Sequence, residues 1–257
     1  MNTIVELNLW QFSLIYLLLL IVLGIMKKCR INQTKLLIVA SIRMTVQLVI
    51  AGLVLTYIFK NPHPLFTVSY LVLMSGFSVY TVLSRNKNLN RQFKVIVGIS
   101  LAATGLSIVV FFITAVVGVN FFNPQYTIPI SGMIIGNAMT GVSLGLKTFN
   151  ENIRASRSKI ETLINLGVTP KRILIPFVNQ ALETALLPTL NSMLGMGIIS
   201  LPGMMTGQIL SGTLPTTAIL YQIAIIVAIS AVTCLAVFCS LFFGYRTLYN
   251  KRNQMMI

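Results

Sequence analysis

Long apolar runs separated by short polar stretches organise this chain. Seven runs stand out, at 9–26, 36–59, 65–83, 95–119, 128–146, 173–200 and 216–243. About 20 consecutive apolar residues carry a helix across the hydrocarbon of a bilayer. A transmembrane barrel strand would instead alternate polar and apolar residues over about ten positions. The runs are continuous, so the pattern predicts an all-α, polytopic membrane helix bundle of about seven transmembrane helices, a single transmembrane domain over 1–257.

The polar stretches carry a second signal. Lys27, Lys28, Arg30 and Lys35 follow the first run, and only Lys60 follows the second. Arg85, Lys87, Arg91 and Lys94 follow the third, and no charge follows the fourth. Lys147, Arg154, Arg157, Lys159, Lys171 and Arg172 follow the fifth, and none follows the sixth. The tail holds Arg246, Lys251 and Arg252. Basic and nearly uncharged loops alternate without a break. The positive-inside rule then puts the N-terminus outside and the C-terminus in the cytoplasm, in a multi-pass plasma-membrane protein.

Composition agrees with this picture. The chain is 56% hydrophobic and 9% charged, against about 25% charged for a soluble domain. The net charge of +15 would suggest nucleic acid in a soluble protein. Here it sits in short loops between spans, so no nucleic-acid partner is expected. Cys29, Cys234 and Cys239 have no metal-ligand spacing and imply no disulfide framework. The first run has no basic stretch before it and reads as a retained span rather than a cleaved signal.

One cytoplasmic loop is large, at 148–172. Its centre, 158–166, places Ile160, Leu163 and Ile164 on one helical face. Gly167 ends that helix and Pro170 starts the next segment. The loop therefore presents a short amphipathic helix, suited to lipid headgroups or to a groove on a partner. Between the last two runs, 201–212 carries no charge but holds Pro202, Gly203, Gly207 and Gly212. Irregular backbone at membrane depth is tolerated only inside protein or beside a water-filled cavity. The segment, with Met204, Met205 and Gln208, reads as a re-entrant or broken-helix element.

Few ionisable groups fall within the spans. Arg43 and Glu183 lie at similar depth and have opposite charge. Each is costly in hydrocarbon and belongs in the bundle interior or beside water. Gln47 is one turn from Arg43, and Asn179 and Gln180 share a face with Glu183. A pair follows as an expectation, either as an interhelical tie or as part of a pathway. Arg43→Glu with Glu183→Arg should then transport better than either single change, and a double variant no better than the singles refutes the pairing. Met193, Met196, Met204 and Met205 gather near the outer end. Thioethers suit Cu(I) better than iron, and helix packing accounts for them, so the metal ligands are unknown. His63 reads as part of an exposed turn. Pro188 is expected to break the sixth run near mid-membrane and allow a hinge. Gly132 with Gly136, and Gly141 with Gly145, suit close helix contact.

Several strings carry a family resemblance. Glu161-Thr-Leu-Ile-Asn-Leu-Gly167 resembles the cytoplasmic coupling loop of ABC-transporter permeases, with Thr162-Leu163 in place of two alanines. Ser200-Leu-Pro-Gly-Met-Met-Thr-Gly-Gln-Ile-Leu210, Gly136-Asn-Ala-Met139, Leu187-Pro-Thr-Leu-Asn-Ser-Met193, and Arg43 with Gln47 resemble the FetB-type permease family. That family includes bacterial iron-export permeases and similar plant proteins tied to aluminium tolerance. The resemblance covers about residues 9 to 247. It implies the membrane subunit of an ABC transporter exporting iron or another metal, a homodimer of permeases with two ATPase subunits as partners, and no catalytic residues here. Arg43, Gln47, Asn137, Glu183 and Asn191 would line or support the pathway, and Glu161, Gly167 and Pro170 would couple to the ATPase. The nearest string to a P-loop, Gly141 to Thr148, has the wrong spacing. No cofactor is expected in this chain, and ATP belongs on the partner. The alternative is an ion-coupled secondary transporter using Glu183 as a proton relay, although no internal repeat of the kind common in such proteins is visible.

Overall fold

The computed structural model describes residues 8–86 and 89–249. Lys87, Lys251 and Arg252, which entered the charge pattern, lie outside the described residues. Among the described residues nine α-helices follow in order: α1 Leu9–Lys28, α2 Thr34–Lys60, α3 Pro64–Arg85, α4 Arg91–Phe111, α5 Pro124–Ala155, α6 Arg157–Asn165, α7 Pro170–Gly195, α8 Gly203–Leu210 and α9 Pro215–Gly244. A π-helical segment, Phe112–Val117, continues α4, and a 3-10 turn, Tyr245–Leu248, continues α9. Among the described residues, seven helices are long and apolar enough to span a membrane. These are α1 to α5, α7 and α9.

Local chemistry explains the boundaries. Lys27 and Lys28 occupy the last turn of α1, where cations complement the helix dipole. Prolines open α3, α5, α7 and α9, where the missing N–H costs nothing. The imidazole Nδ1 of His63 accepts a hydrogen bond from the Leu65 N–H at 3.2 Å. His63 is thus the cap of α3 as well as an exposed residue. Gly118, with φ of 73°, closes the π segment in the left-handed region that favours glycine.

The chain divides into two compact units. The first contains α1 and α2. Within it the Tyr16 hydroxyl and Thr45 Oγ1 share a 2.6 Å hydrogen bond. An apolar groove of about 440 Å³ runs between the two helices, lined by Phe12, Tyr16, Met44 and Leu48 among others. Leu20, Leu48 and Leu53 are among many large apolar side chains exposed here.

The second unit holds the core. α5 packs against α3, α4, α7 and α9, and α4 also packs against α9. Small residues permit these contacts. A Cβ at Gly141 would strike Thr233 of α9, and one at Gly145 would lie 2.9 Å from Val237 Cγ1. A Cβ at Gly132 would lie 3.1 Å from Met74 of α3, whereas Gly136 meets nothing within 4 Å. The Gly141/Gly145 pair is therefore a packing device, and in the Gly132/Gly136 pair only Gly132 is crowded.

The basic end of this unit is tightly knit. Asn90 Oδ1 accepts from the Phe93 N–H at 2.7 Å, and Asn90 Nδ2 donates to the Thr247 carbonyl at 2.8 Å. One side chain thus caps α4 and ties it to the end of α9. Phe93 and Phe149 meet edge to face, with centroids 6.2 Å apart. Asn90→Ala removes these bonds and a third, which Asn90 Oδ1 accepts from Thr247 Oγ1 at 3.2 Å, and should cost about 1–2 kcal/mol, read as a lower thermal midpoint in detergent. At the opposite end Thr67 Oγ1 donates to the Phe122 carbonyl at 3.1 Å.

Two expectations are corrected. α7 runs unbroken through Pro188 to Gly195. The proline removes one backbone hydrogen bond, but the neighbouring turns hold the helix together. The loop at 148–172 is not wholly a loop. Its first residues continue α5, whose 32 residues reach about 48 Å, beyond a hydrocarbon layer of ~30 Å.

Candidate coupling loop and intramembrane polar face

α6 forms because Arg157 to Asn165 contains no helix breaker and buries one face. Ile160 is 2% exposed, and Leu163 and Ile164 are half-buried against the same core. The helix packs on α5 and α7. Its apolar face is therefore used within the chain. What it presents outward is Arg157, Lys159, Glu161 and Leu166, all exposed. Glu161 Oε1 accepts from Arg157 Nε at 3.0 Å, a water-exposed pair one turn apart that stabilises the helix only slightly.

The stop is a complete Schellman motif. The Gly167 N–H donates to the Ile164 carbonyl at 2.9 Å, and the Val168 N–H to the Leu163 carbonyl at 3.0 Å. Gly167 has φ of 79°, which a side chain would oppose by about 1–2 kcal/mol. Pro170 is buried at the first position of α7. The break between α6 and α7 is thus short and held at both ends by backbone bonds and packing.

The segment 201–212 contains one short helix, α8, of eight residues. At about 12 Å it is too short to span a membrane. Before it, Gly197 takes φ of 81° and donates its N–H to the Ser200 carbonyl at 3.0 Å. After it, Gly212 takes φ of 95°. Pro202 precedes α8 and its carbonyl accepts from the Thr206 N–H at 2.9 Å. Met205 is buried and Met204 packs on the core, while Gln208 is half-buried. Gly203 and Gly207 lie in α8 with nothing within 4 Å of a built Cβ, so they serve no close contact among the described residues. Met193 Sδ accepts from Ser230 Oγ at 3.3 Å, and Met196 Sδ lies 4.0 Å from Gln222 Nε2. Among the described residues no group of three His, Cys, Asp or Glu could hold a metal.

α5 and α7 carry polar groups outward along their seam. Asn152 Nδ2 donates to Gln180 Oε1 at 3.0 Å. A Cβ at Gly145 would lie 3.5 Å from Ala185 Cβ. In this antiparallel register Asn137 stands within about a turn of the level of Asn191. At 100° per residue, Asn137 falls on the Asn152 side of α5, while Gln180, Glu183 and Asn191 share one side of α7. Asn137, Gln180, Glu183 and Asn191 are all exposed. Asn137 Nδ2 donates to the Met133 carbonyl of its own helix at 2.8 Å. Arg43 and Gln47 are also exposed, one turn apart on α2 in the other unit. The seam as a stripe, and the role of Asn152 in it, were not marked by hydropathy. The spacing of 180, 183 and 191 was the available signal.

Seven apolar helices, a polar stripe within them and a helix-glycine-helix connector define a multi-pass helical membrane protein. The chain belongs to UPF0014, described as an uncharacterised protein family, which it matches over residues 9–249. It is 35% identical over 233 residues to the UPF0014 membrane protein YjkA of Bacillus subtilis, covering 87% of this chain and 90% of that one. It is 30% identical over 253 residues to the "Probable iron export permease protein FetB" of Escherichia coli, covering 97% and 96%. It is 32% identical over 213 residues to the Protein ALUMINUM SENSITIVE 3 of Arabidopsis thaliana, covering 83% and 77%. No solved structure matches it.

Proposed function

We propose that this chain is the membrane-spanning permease subunit of an ABC transporter that exports iron, driven by a separate ATPase subunit. The observation that carries this reading is α6. It is a short helix seated on α5 and α7, stopped by Gly167, with Glu161 and Leu166 turned outward. An ATPase that moves α6 moves two spanning helices with it, because Ile160 is anchored in their core. The name of the Escherichia coli relative supplies the substrate. Two copies of the chain work together, with the stripe of Asn137, Glu183 and Asn191 facing the pathway between them. The end bearing Arg85, Lys147, Lys171 and Arg246 faces the cytoplasm, where the positive-inside rule places it and where ATP is.

The test is reconstitution of the full chain with its candidate ATPase in liposomes. Fe²⁺ should stimulate ATP hydrolysis several-fold and leave the cytoplasm-facing side. Failure to form a complex, together with no stimulation by any metal, refutes the reading. Transport that persists without the ATPase and follows a proton gradient replaces it with a secondary transporter.

A further inference from the structure

A second polar feature lies between α5 and α3. At the basic end, a cleft of about 320 Å³ opens between the last turn of α3 and α5. Arg85, the last residue of α3, and Lys147 of α5 stand at its mouth. Among the described residues no acidic side chain lines it. Ser143 lines the wall, and its buried Oγ has no hydrogen-bond partner among the described residues. Thr140 lies one turn deeper, its hydroxyl already donating to the Gly136 carbonyl at 3.0 Å. Leu144 lines the wall beside Ser143, and Met139 lies at the depth of Thr140.

The chemistry changes along the cleft. α5 runs toward the basic end, so Met139 lies about 12 Å deeper than Lys147. The mouth offers two cations, the wall a free hydroxyl beside the methyls of Leu144, and the depth the thioether of Met139. The volume equals about ten waters at ~30 Å³ each, room for a phosphate with a small alcohol esterified to it. Glu151 competes for Lys147, but at 3.9 Å, with both side chains mostly in water, that pair is weak. The ammonium keeps donors for another anion.

We infer that this cleft binds the phosphate group of an anionic phospholipid, with Arg85 and Lys147 on the phosphate, Ser143 donating to it, and the acyl chains leaving along Met139 and Leu144. The cations and hydroxyl would suit a free phosphate equally. The apolar depth favours the lipid, because an unesterified phosphate gains nothing from it. Basic pockets between spanning helices hold lipid headgroups by this combination. The site opens toward α3 rather than α7, and its assignment stands whatever the chain transports.

The full chain, stripped of lipid in a neutral detergent, is titrated with phosphatidylglycerol, phosphatidylcholine and inorganic phosphate, and native mass spectrometry counts what binds. One phosphatidylglycerol per chain should bind above background. Arg85→Gln with Lys147→Gln should weaken it about 30-fold, at roughly the worth of two cations near a membrane surface. Lys171→Gln with Arg172→Gln, which removes two exposed cations at the start of α7, should change it less than about threefold. Phosphatidylcholine should respond to neither pair. No loss in the first pair, or equal loss in both, overturns the site. Displacement of the lipid by millimolar inorganic phosphate overturns the lipid assignment and leaves an oxyanion site. A photoreactive phosphatidylglycerol on the unaltered chain gives a readout independent of variant folding. Labelling at 139–147 supports the cleft, and labelling confined to other segments overturns it.

Discussion

Gly244→Leu is expected to leave almost no folded protein. Gly244 ends α9, and a Cβ built on it falls among the ring atoms of Phe93. That ring cannot retreat. Phe93 is fully buried and meets Phe149 edge to face. It also sits three residues from Asn90, whose side chain ties α4 to Thr247. Overpacking a filled core by a few methylenes costs about 1–3 kcal/mol or more, and here the added atoms meet an immobile ring. Replacing a helical glycine returns only about 0.5–1 kcal/mol. Native proteins hold only about 5–15 kcal/mol in total. Gly244→Ala should therefore be visibly destabilised, and Gly244→Leu should run as aggregate on size exclusion in detergent. Adding Phe93→Ala to Gly244→Leu should recover part of the loss, although Phe93→Ala alone opens a cavity worth about 3–5 kcal/mol. A Gly244→Leu chain that elutes and melts like the unaltered protein would show that α4 and α9 do not meet as described.

This contact shows where the sequence is silent. Gly244 and Phe93 lie far apart in the chain, and nothing in either neighbourhood marks them as partners. The seven spans were legible because each is a long apolar run, and lipid imposes that requirement locally on every segment. Their ends were less legible. α5 continues past Lys147, Glu151 and Arg154 because these are good helix formers, so charge marks the membrane edge rather than the helix end. α8 was hidden inside 201–212 because its glycines suggested irregular backbone, whereas only Gly197 and Gly212, flanking it, need positive φ. Pro188 suggested a break that α7 does not have.

The candidate site divides in the same way. The α6 helix and its Gly167 stop could be read directly, since apolar spacing and a terminal glycine are local signals. The direction of its apolar face could not. Ile160 packs inward on the chain's own core, and Leu166 is the apolar side chain left outside. His63 looked like a turn residue, and its capping bond to Leu65 depends on a rotamer that sequence does not specify. The two polar faces of α5 were separable only with its neighbours in place. Asn152 turns to α7 and Lys147 to α3, and one helix thereby serves a seam and a cleft.

Glu183→Leu is expected to abolish transport while the bundle still folds. Glu183 stands about 20 Å along α7 from Pro170, counted at 1.5 Å per residue, near the middle of a ~30 Å hydrocarbon layer. It is exposed from the chain, on the same side of α7 as Gln180 and Asn191. A carboxylate at that depth is costly against lipid, so this face meets water or another chain. Leucine removes the cost of holding a charge there, and the thermal midpoint should hold or rise. A structural tie would behave oppositely, with stability falling as transport falls. Export from liposomes with the ATPase present should drop at least about tenfold, the scale set by losing about 1.4 kcal/mol of stabilisation for a cation in passage. Glu183→Gln separates charge from polarity. If the negative charge attracts the metal ion, glutamine behaves like leucine. If Glu183 only keeps the wall wet alongside Asn137 and Asn191, glutamine retains most of the transport. Leucine at 183 with undiminished export would remove the seam from the pathway and return the stripe to a packing role between copies.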